Sequence, residues 1–143
     1  YEPPPVVLKS LCFNVSHDCD LRCAYCFAST GSFGGERLNM PFAVAKQALD
    51  YLMEHSGKRK ILEVDFFGGE PLMNLDVVKT AVTYGRELEK QFAKQINFTF
   101  TTNCVSLTPE INKWAIDNKI NVILSHDGRK KVHDALRVFP VMM

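Results

Sequence analysis

The apolar and polar positions of the chain predict strands that alternate with helices. Residues 6–15 form the first predicted strand, because Leu11, Phe13 and Val15 alternate with Cys12 and Asn14. Residues 41 to about 56 form the first predicted helix, since apolar residues recur there at every fourth position and share one face. The further predicted strands are 61–67, 96–102 and 121–125, and the further predicted helices are about 74–94, a short one starting at Thr108 and Pro109, and about 130–137.

This order predicts an α/β fold with right-handed βαβ units, a parallel sheet and outer helices. In such folds the functional groups collect at the carboxyl ends of the strands. The unusual residues of this chain all follow strands: a cysteine cluster follows the first, Gly68-Gly69-Glu70-Pro71 the second, Asn103 the third, and Ser125 to Asp127 the fourth. We therefore expect a single site at that edge of the sheet.

Composition narrows the class of protein. The 143 residues make one domain's worth of chain, with 46% hydrophobic and 23% charged residues and a net charge of +1. Such a balance gives no electrostatic reason to expect nucleic acid or an anionic membrane as a partner. No apolar run is long enough to span a membrane. The proline-rich residues 1–7 resemble neither a signal nor a transit peptide, and we expect them to be an extended lead-in.

The cysteines indicate a metal or cluster site in a reducing compartment, most simply the cytoplasm. There are five, an odd number, and three lie within eight residues at Cys19, Cys23 and Cys26. A structural zinc site normally uses four protein ligands in two pairs, so zinc would need a fourth ligand such as His17. Iron–sulfur clusters are held by thiolates at similar spacings, and three ligands on a four-iron cluster leave one iron open. Unliganded thiols are the third possibility.

Two motifs resemble those of the radical S-adenosylmethionine (SAM) superfamily. The first is Cys19-x-x-x-Cys23-x-x-Cys26 with Tyr25 before the last cysteine, and the second is Gly68-Gly69-Glu70-Pro71. The resemblance extends from about residue 8 to 137. The sequences of four segments resemble those of the maturases of the cysteine-rich SCIFF peptides, namely residues 11–15, 17–19, 26–31 and 65–74. Those maturases form thioether crosslinks and carry a SPASM or Twitch-type extension with auxiliary clusters.

The resemblance implies two cofactors, a [4Fe–4S] cluster and SAM. Cys19, Cys23 and Cys26 would be the metal ligands, and SAM would chelate the fourth iron. Reductive cleavage of SAM would give a 5′-deoxyadenosyl radical that abstracts hydrogen from the substrate. The implied partners are a ribosomally made cysteine-rich precursor peptide and an electron donor such as flavodoxin or ferredoxin. The implied function is thus that of an oxidoreductase acting as a peptide maturase.

The resemblance also implies a SAM site. Gly68, Gly69 and Glu70 would bind the methionine amino group, and Tyr25 would lie near the adenine. Further SAM contacts to the ribose or the carboxylate would come from Asn103, Ser125, Asp127 and Arg137. Each residue also has a plain structural explanation: a glycine turn, packing beside the cysteine loop, turn or cap formation, or a solvated arginine.

Four positions deviate from expectation or need a separate interpretation. Asp20 stands where the family usually has Asn, Cys104 where it usually has Gly, and His126 where an apolar residue is usual. A β-carbon at Cys104 would disturb a tight turn that needs glycine. We interpret Cys12 as a small core residue of the first strand.

Length sets the last expectation. The radical SAM core resembles a partial, TIM-barrel-like (β/α)6 fold, and this chain holds about four of those units. We therefore expect residues 8–143 to be an N-terminal, incomplete core domain, without the C-terminal barrel units and the auxiliary-cluster domain, and inactive alone. Its last strand would have an unpaired edge, and the tail at 139–143 could be a reading-frame artefact. The alternatives are a sulfatase-maturase-like or other protein-modifying enzyme and, in another class, a zinc-stabilised non-catalytic module.

Overall fold

The computed structural model describes residues 2–3 and 6–140. The described residues form four strands, β1 (Ser10–Ser16), β2 (Ile61–Gly68), β3 (Gln95–Thr102) and β4 (Ile120–Leu124), and four α-helices, α1 (Phe42–His55), α2 (Leu75–Phe92), α3 (Pro109–Asp117) and α4 (Lys130–Leu136). All neighbouring strands are parallel, in the order β1-β2-β3-β4. The predicted α/β fold is confirmed. The predicted lead-in at 1–7 and tail at 139–143 lie partly outside the described residues.

The hydrophobic core lies between one face of the sheet and the helices. Along β2, every second side chain is buried, and the Phe66 ring stacks on that of Phe98 from β3 at 5.7 Å. Helix α1 contributes buried residues from both predicted apolar rows, namely Ala45, Leu49, Leu52 and Met53. Val44, predicted on the same face, is instead exposed. The buried stripe on α1 is therefore narrower than the sequence pattern.

The first strand differs from its prediction in two respects. It begins at Ser10 rather than at residue 6, because the backbone N–H of Leu8 already donates to the carbonyl of His55 at 3.0 Å. Cys12 is exposed, so its interpretation as a core residue was wrong. The physical reason is the alternation of the strand: Phe13 and Val15 face the helices, and Cys12 lies on the opposite face of the sheet.

The start of α2 is held by a side chain that bonds to β1 rather than to the helix itself. Asn74 occupies the N-cap position, but its side chain makes no cap hydrogen bond. Its amide nitrogen donates to the carbonyls of Val15, at 2.8 Å, and Met40, at 3.0 Å. A 3₁₀ turn, Pro71–Asn74, leads into the helix. Asn74 therefore connects the end of β1 to the start of α2.

Gly85 lies inside α2, where a glycine usually weakens a helix. The helix continues through it, and a β-carbon there would lie 2.5 Å from Cζ of Phe98. The ring of a core phenylalanine thus occupies the space of the missing side chain. Gly85 is needed for packing between α2 and β3, which offsets the cost of about 1 kcal/mol of a helical glycine.

Strand β4 forms an edge of the sheet in the described part of the chain. Its apolar sequence suggested burial, yet Ile123 is 51% and Leu124 56% exposed. The strand pairs with β3 along one side, which agrees with the expected free edge on the other. None of the described helices is long and apolar enough to cross a membrane.

Candidate functional site

A cavity of about 160 Å³ lies at the carboxyl ends of the strands. Its lining includes every predicted site residue except Asp127, namely Cys19, Cys23, Tyr25, Cys26, Gly68, Gly69, Glu70, Asn103, Ser125 and Arg137. These residues come from the carboxyl ends of the strands and the loops that follow them, except Arg137, which follows α4. Parallel strands place their carboxyl ends at one edge, and that edge is where the chain brings its three clustered thiols and its polar loop residues together.

Sequence reasoning missed several residues of this cavity. Phe27, Ala28, Gly31, Phe67 and Thr101 also line it. Phe67 and Thr101 could have been found, because each lies near the end of a strand on the face opposite the core. Phe27 and Phe33 sit edge-to-face, with ring centroids 6.1 Å apart, and nothing in their spacing indicates this contact.

Gly68, the last residue of β2, and Gly69 let the loop after β2 approach the loop after β1. Gly68 has φ +131°, and a β-carbon there would lie 2.4 Å from the carbonyl oxygen of Ser16. The N–H of Gly69 donates to that same oxygen at 2.8 Å, and the N–H of Glu70 donates to the carbonyl of Asp18 at 2.8 Å. The glycine motif is therefore paired, backbone to backbone, with the segment that leads into Cys19.

Glu70 is a buried carboxylate that connects two loops. It is 1% exposed, and both of its oxygens accept backbone hydrogen bonds. Oε2 accepts from the N–H of Asn103 at 2.7 Å, and Oε1 from that of Leu72 at 3.0 Å. Burial raises the pKa of Glu70, and these hydrogen bonds partly oppose the shift. The side chain thus fixes the end of β3 to the loop after β2.

Replacing Glu70 with alanine is expected to lower the free energy of unfolding by about 2–4 kcal/mol, because two backbone N–H groups lose their acceptor in a buried place. Urea denaturation would measure the loss. Glu54→Ala, at an exposed position on α1, is the matched control and should change the midpoint little. Equal midpoints for the two variants would contradict this account of Glu70.

The raised pKa of Glu70 also gives the loss a pH dependence. A carboxyl group whose pKa is higher in the folded state binds more protons there, so its contribution to stability falls as pH rises. The difference between the wild type and Glu70→Ala should be largest below pH 4.5, the ordinary value, and should shrink as pH rises through the folded-state pKa. A constant or growing difference would contradict the direction of this shift.

The start of the cysteine loop is held by charged and amide side chains. Oδ1 of Asp18 accepts from the N–H of Cys19 at 2.8 Å and also from Arg37. The Asn103 amide donates to Oδ1 of Asp20 at 2.6 Å, and the N–H of Leu21 lies 3.4 Å from Sγ of Cys19. Asp20 and Asn103 thus connect the loop after β1 to the loop after β3.

Tyr25, Asp127 and Arg137 form a compact group beside the cavity. Oδ2 of Asp127 accepts from the Tyr25 hydroxyl at 2.6 Å and from Nε of Arg137 at 2.9 Å. Oδ1 accepts from Arg137 Nη2 at 3.1 Å, so the arginine is bidentate. Hydrogen bonds from Arg137 and Tyr25 lower the pKa of Asp127, which is therefore ionised at neutral pH.

A zinc ion and an iron–sulfur cluster make different demands on the three thiols. In the described residues, no three His, Cys, Asp or Glu side chains surround a point where a single ion could sit. Tetrahedral zinc with Zn–S bonds of about 2.3 Å would require sulfurs within about 4 Å of one another. A cluster distributes its thiolates over separate iron atoms. His17, the candidate fourth zinc ligand, packs against Phe33 with ring centroids 5.1 Å apart and is not part of the cavity lining.

Burial raises the pKa of the thiols of Cys19 and Cys23. Only a thiolate ligates a metal, so a cofactor at this site must replace protons on these two sulfurs. The opposing influences are the N–H of Leu21 beside Cys19 and the charge of Arg137 near Cys23, which both favour the thiolate. These two influences only partly offset the effect of burial, which still favours the neutral thiols.

The two remaining deviations lie beside this site. Cys104 has φ +72°, the left-handed conformation that glycine adopts without strain, so the turn does require the backbone of the usual glycine. His126 lies beyond the end of β4, is exposed and stacks on His133 with ring centroids 4.7 Å apart. It therefore leaves the pairing of β4 with β3 unaffected.

Comparison with known proteins gives consistent matches. Residues 13–128 match the Radical SAM superfamily. An uncharacterized protein of Methanocaldococcus jannaschii is 30% identical over 132 residues, which are 92% of this chain and 43% of that protein. The cysteine-type anaerobic sulfatase-maturating enzyme of Clostridium novyi is 28% identical over 92% of this chain and 35% of its own length. The radical SAM cyclopropyl synthase TigE of Paramaledivibacter caminithermalis is 25% identical over 88% and 28%.

A solved structure shows the same fold. Native anSMEcpe with bound AdoMet superposes with a TM-score of 0.78 and 25% identity, covering 91% of this chain and 35% of that one. The chain thus spans less than half the length of these relatives.

Proposed function

Because the chain belongs to the radical SAM superfamily, we propose that Cys19, Cys23 and Cys26 hold a [4Fe–4S] cluster and that SAM binds beside it. The cluster and SAM are the cofactors of this family. The observation that carries the proposal is the cavity, in which the three thiols lie together with the ends of β2, β3 and β4. Bound together, the two cofactors supply one-electron cleavage of SAM and hydrogen abstraction from a substrate.

Different residues of the chain would bind different groups of SAM. Strand-end carbonyls at Gly68 and Gly69 accept hydrogen bonds from the methionine amino group, since carbonyls bind an ammonium. Glu70 supports these contacts by fixing this loop, because each of its oxygens accepts a backbone hydrogen bond. Arg137 has N–H groups beyond the two that Asp127 accepts, and these bind the SAM carboxylate.

The other lining residues complete the SAM site in this proposal. Tyr25 packs beside the adenine, because its ring is half exposed at the cavity while its hydroxyl is bound to Asp127. Asn103 and Ser125 contact the ribose. The Asn103 amide nitrogen donates to Oδ1 of Asp20, and its amide oxygen accepts from the backbone N–H of Val105. Asn103 therefore also keeps the loop closed.

For the whole protein, we propose maturation of a ribosomally made cysteine-rich peptide by thioether formation, with flavodoxin or ferredoxin as electron donor. The sequences of the two motifs support this, and so does the relative named as a sulfatase-maturating enzyme. The match to a sulfatase-maturating enzyme favours a second candidate, modification of a protein cysteine by similar chemistry. A mass decrease of two hydrogens with all sulfur retained would support the crosslink, and loss of cysteine sulfur would support the second candidate.

We further propose that this chain is the N-terminal part of a core completed by later barrel units and an auxiliary-cluster domain. The short coverage of the relatives supports this, as does the exposed edge of β4. The later units would then supply most of the substrate contacts.

Anaerobic reconstitution with iron and sulfide tests the cofactor proposal. The protein should turn brown, bind about four irons and four sulfides per chain, and change its electron paramagnetic resonance spectrum when SAM is added. With reductant, the whole protein should form 5′-deoxyadenosine from SAM. One zinc per chain with neither iron nor labile sulfide would instead support the zinc-stabilised module.

A further inference from the structure

Asp127 is connected to the cavity without being part of its lining. Among the predicted site residues it alone does not line the cavity, yet it binds two residues that do, Tyr25 and Arg137. Its two oxygens receive three hydrogen bonds from these partners, at 2.6, 2.9 and 3.1 Å. A carboxylate engaged in this way has little capacity left for another ligand.

The residues that Asp127 binds belong to two distant parts of the chain. Tyr25 lies between Cys23 and Cys26, and Arg137 follows the last residue of α4. The guanidinium carbon of Arg137 also lies 5.5 Å from the centre of the Tyr25 ring, so the three side chains support one another. Asp127 therefore connects the middle of the cysteine loop to the chain that follows β4.

The backbone makes the same connection. The N–H of Arg22 donates to the carbonyl of Val138 at 2.7 Å, and the N–H of Ala24 donates to that of Leu136 at 2.9 Å. These two bonds pair the cysteine loop with the segment after α4, next to the Asp127 group. Arg137 lies between the two acceptors in sequence, so its side chain and its neighbours' carbonyls are fixed together.

We propose that Asp127 is a positioning residue: its carboxylate holds Tyr25 and Arg137 and thereby fixes the cysteine loop against the end of β4, without touching SAM. The loop part of this proposal concerns the protein without cofactors. The SAM part rests on the proposed function. Charge-assisted bonds of this kind are the stronger ones in proteins, and the Asp127–Arg137 pair is mostly shielded, with side chains 19% and 13% exposed.

Amide hydrogen exchange in the protein without cofactors tests the loop part. Asp127→Ala should speed the exchange of the Arg22 and Ala24 amides about tenfold, because their pairing with the segment after α4 loses its side-chain support. Asp134→Ala is the matched control, since it removes an exposed aspartate on α4 that pairs with Lys130. Unchanged exchange in Asp127→Ala would overturn the proposal. Asp127→Asn, which keeps the shape and removes the charge, should act in the same direction and serves if the alanine variant fails to fold.

SAM binding to the reconstituted protein tests the second part. Asp127→Ala should weaken SAM binding about tenfold at unchanged iron content, and Tyr25→Phe with Asp127→Ala should weaken it less than the product of the single effects. Weaker binding with normal amide exchange would assign Asp127 a direct SAM contact and overturn the positioning role. Faster exchange with unchanged SAM affinity would also overturn it. If the wild type binds no cluster or SAM, the proposed function fails, while the exchange result still decides the loop part.

Discussion

Replacing Cys19, Cys23 or Cys26 singly with alanine is expected to abolish cluster binding and 5′-deoxyadenosine formation. The three thiols line one cavity, and each is expected to ligate a different iron, so the loss of one leaves an iron without its protein ligand. Iron and sulfide content after anaerobic reconstitution, the visible absorption of the cluster and the yield of 5′-deoxyadenosine are the measurements. The expected change is from about four irons per chain to fewer than one.

Cys12→Ala is the matched control for these variants. Cys12 is an exposed thiol of the same chain on the face of β1 away from the core, and it does not line the cavity. Its replacement should leave cluster content and SAM cleavage at wild-type levels. Retained SAM cleavage in the variant that lacks all three clustered cysteines would contradict the assignment. Circular dichroism should show that each variant keeps its secondary structure, because none of the replaced cysteines belongs to the hydrophobic core.

Replacing Gly69 with alanine is expected to lower the free energy of unfolding by more than about 3 kcal/mol, or to prevent folding. The new β-carbon would lie 2.1 Å from the carbonyl oxygen and 2.6 Å from the carbonyl carbon of Asp18, and 2.9 Å from Cα of Gly31. These are backbone atoms, which cannot swing away as the end of a flexible side chain can. The segments around Asp18 and Gly31 would have to separate from the loop after β2.

Gly35→Ala is the control for Gly69→Ala, because the nearest atom to a new β-carbon there is the carbonyl oxygen of Ser32 at 3.6 Å, an ordinary contact. Urea denaturation compares the two variants, and SAM binding after reconstitution shows whether the cavity survives. We expect Gly35→Ala to unfold within about 0.5 kcal/mol of the wild type. Equal stability of the Gly69 and Gly35 variants would show that the two loops can separate at no cost and would refute the role given to Gly69.

Much of the fold could be predicted because it depends on local patterns. Alternation along β2 and β3 correctly indicates which side chains are buried. A helix starts at Thr108 and Pro109 as predicted, and the Thr108 side chain caps α3 by accepting from the N–H of Ile111. The errors occur where a second element decides. The alternation of β1 separates Cys12 from Phe13, but only the position of the helices shows which of the two faces the core. Asn74 is likewise a residue type that is typical of helix caps, but its side chain donates to the carbonyl of Val15 in β1 instead.

The sequence by itself determined the order of the elements, the parallel sheet and most of the residues at its carboxyl edge, because hydrophobic periodicity and chain direction are properties of consecutive residues. Only the tertiary structure decided how those residues are used. Both oxygens of Glu70 accept hydrogen bonds from backbone donors of two loops. Asp127 accepts one from the hydroxyl of Tyr25, which lies 102 positions away in sequence. A hydrogen bond forms only when the distance between its two groups is right to within a few tenths of an ångström. For groups that are far apart in sequence, the packing of the whole domain sets that distance.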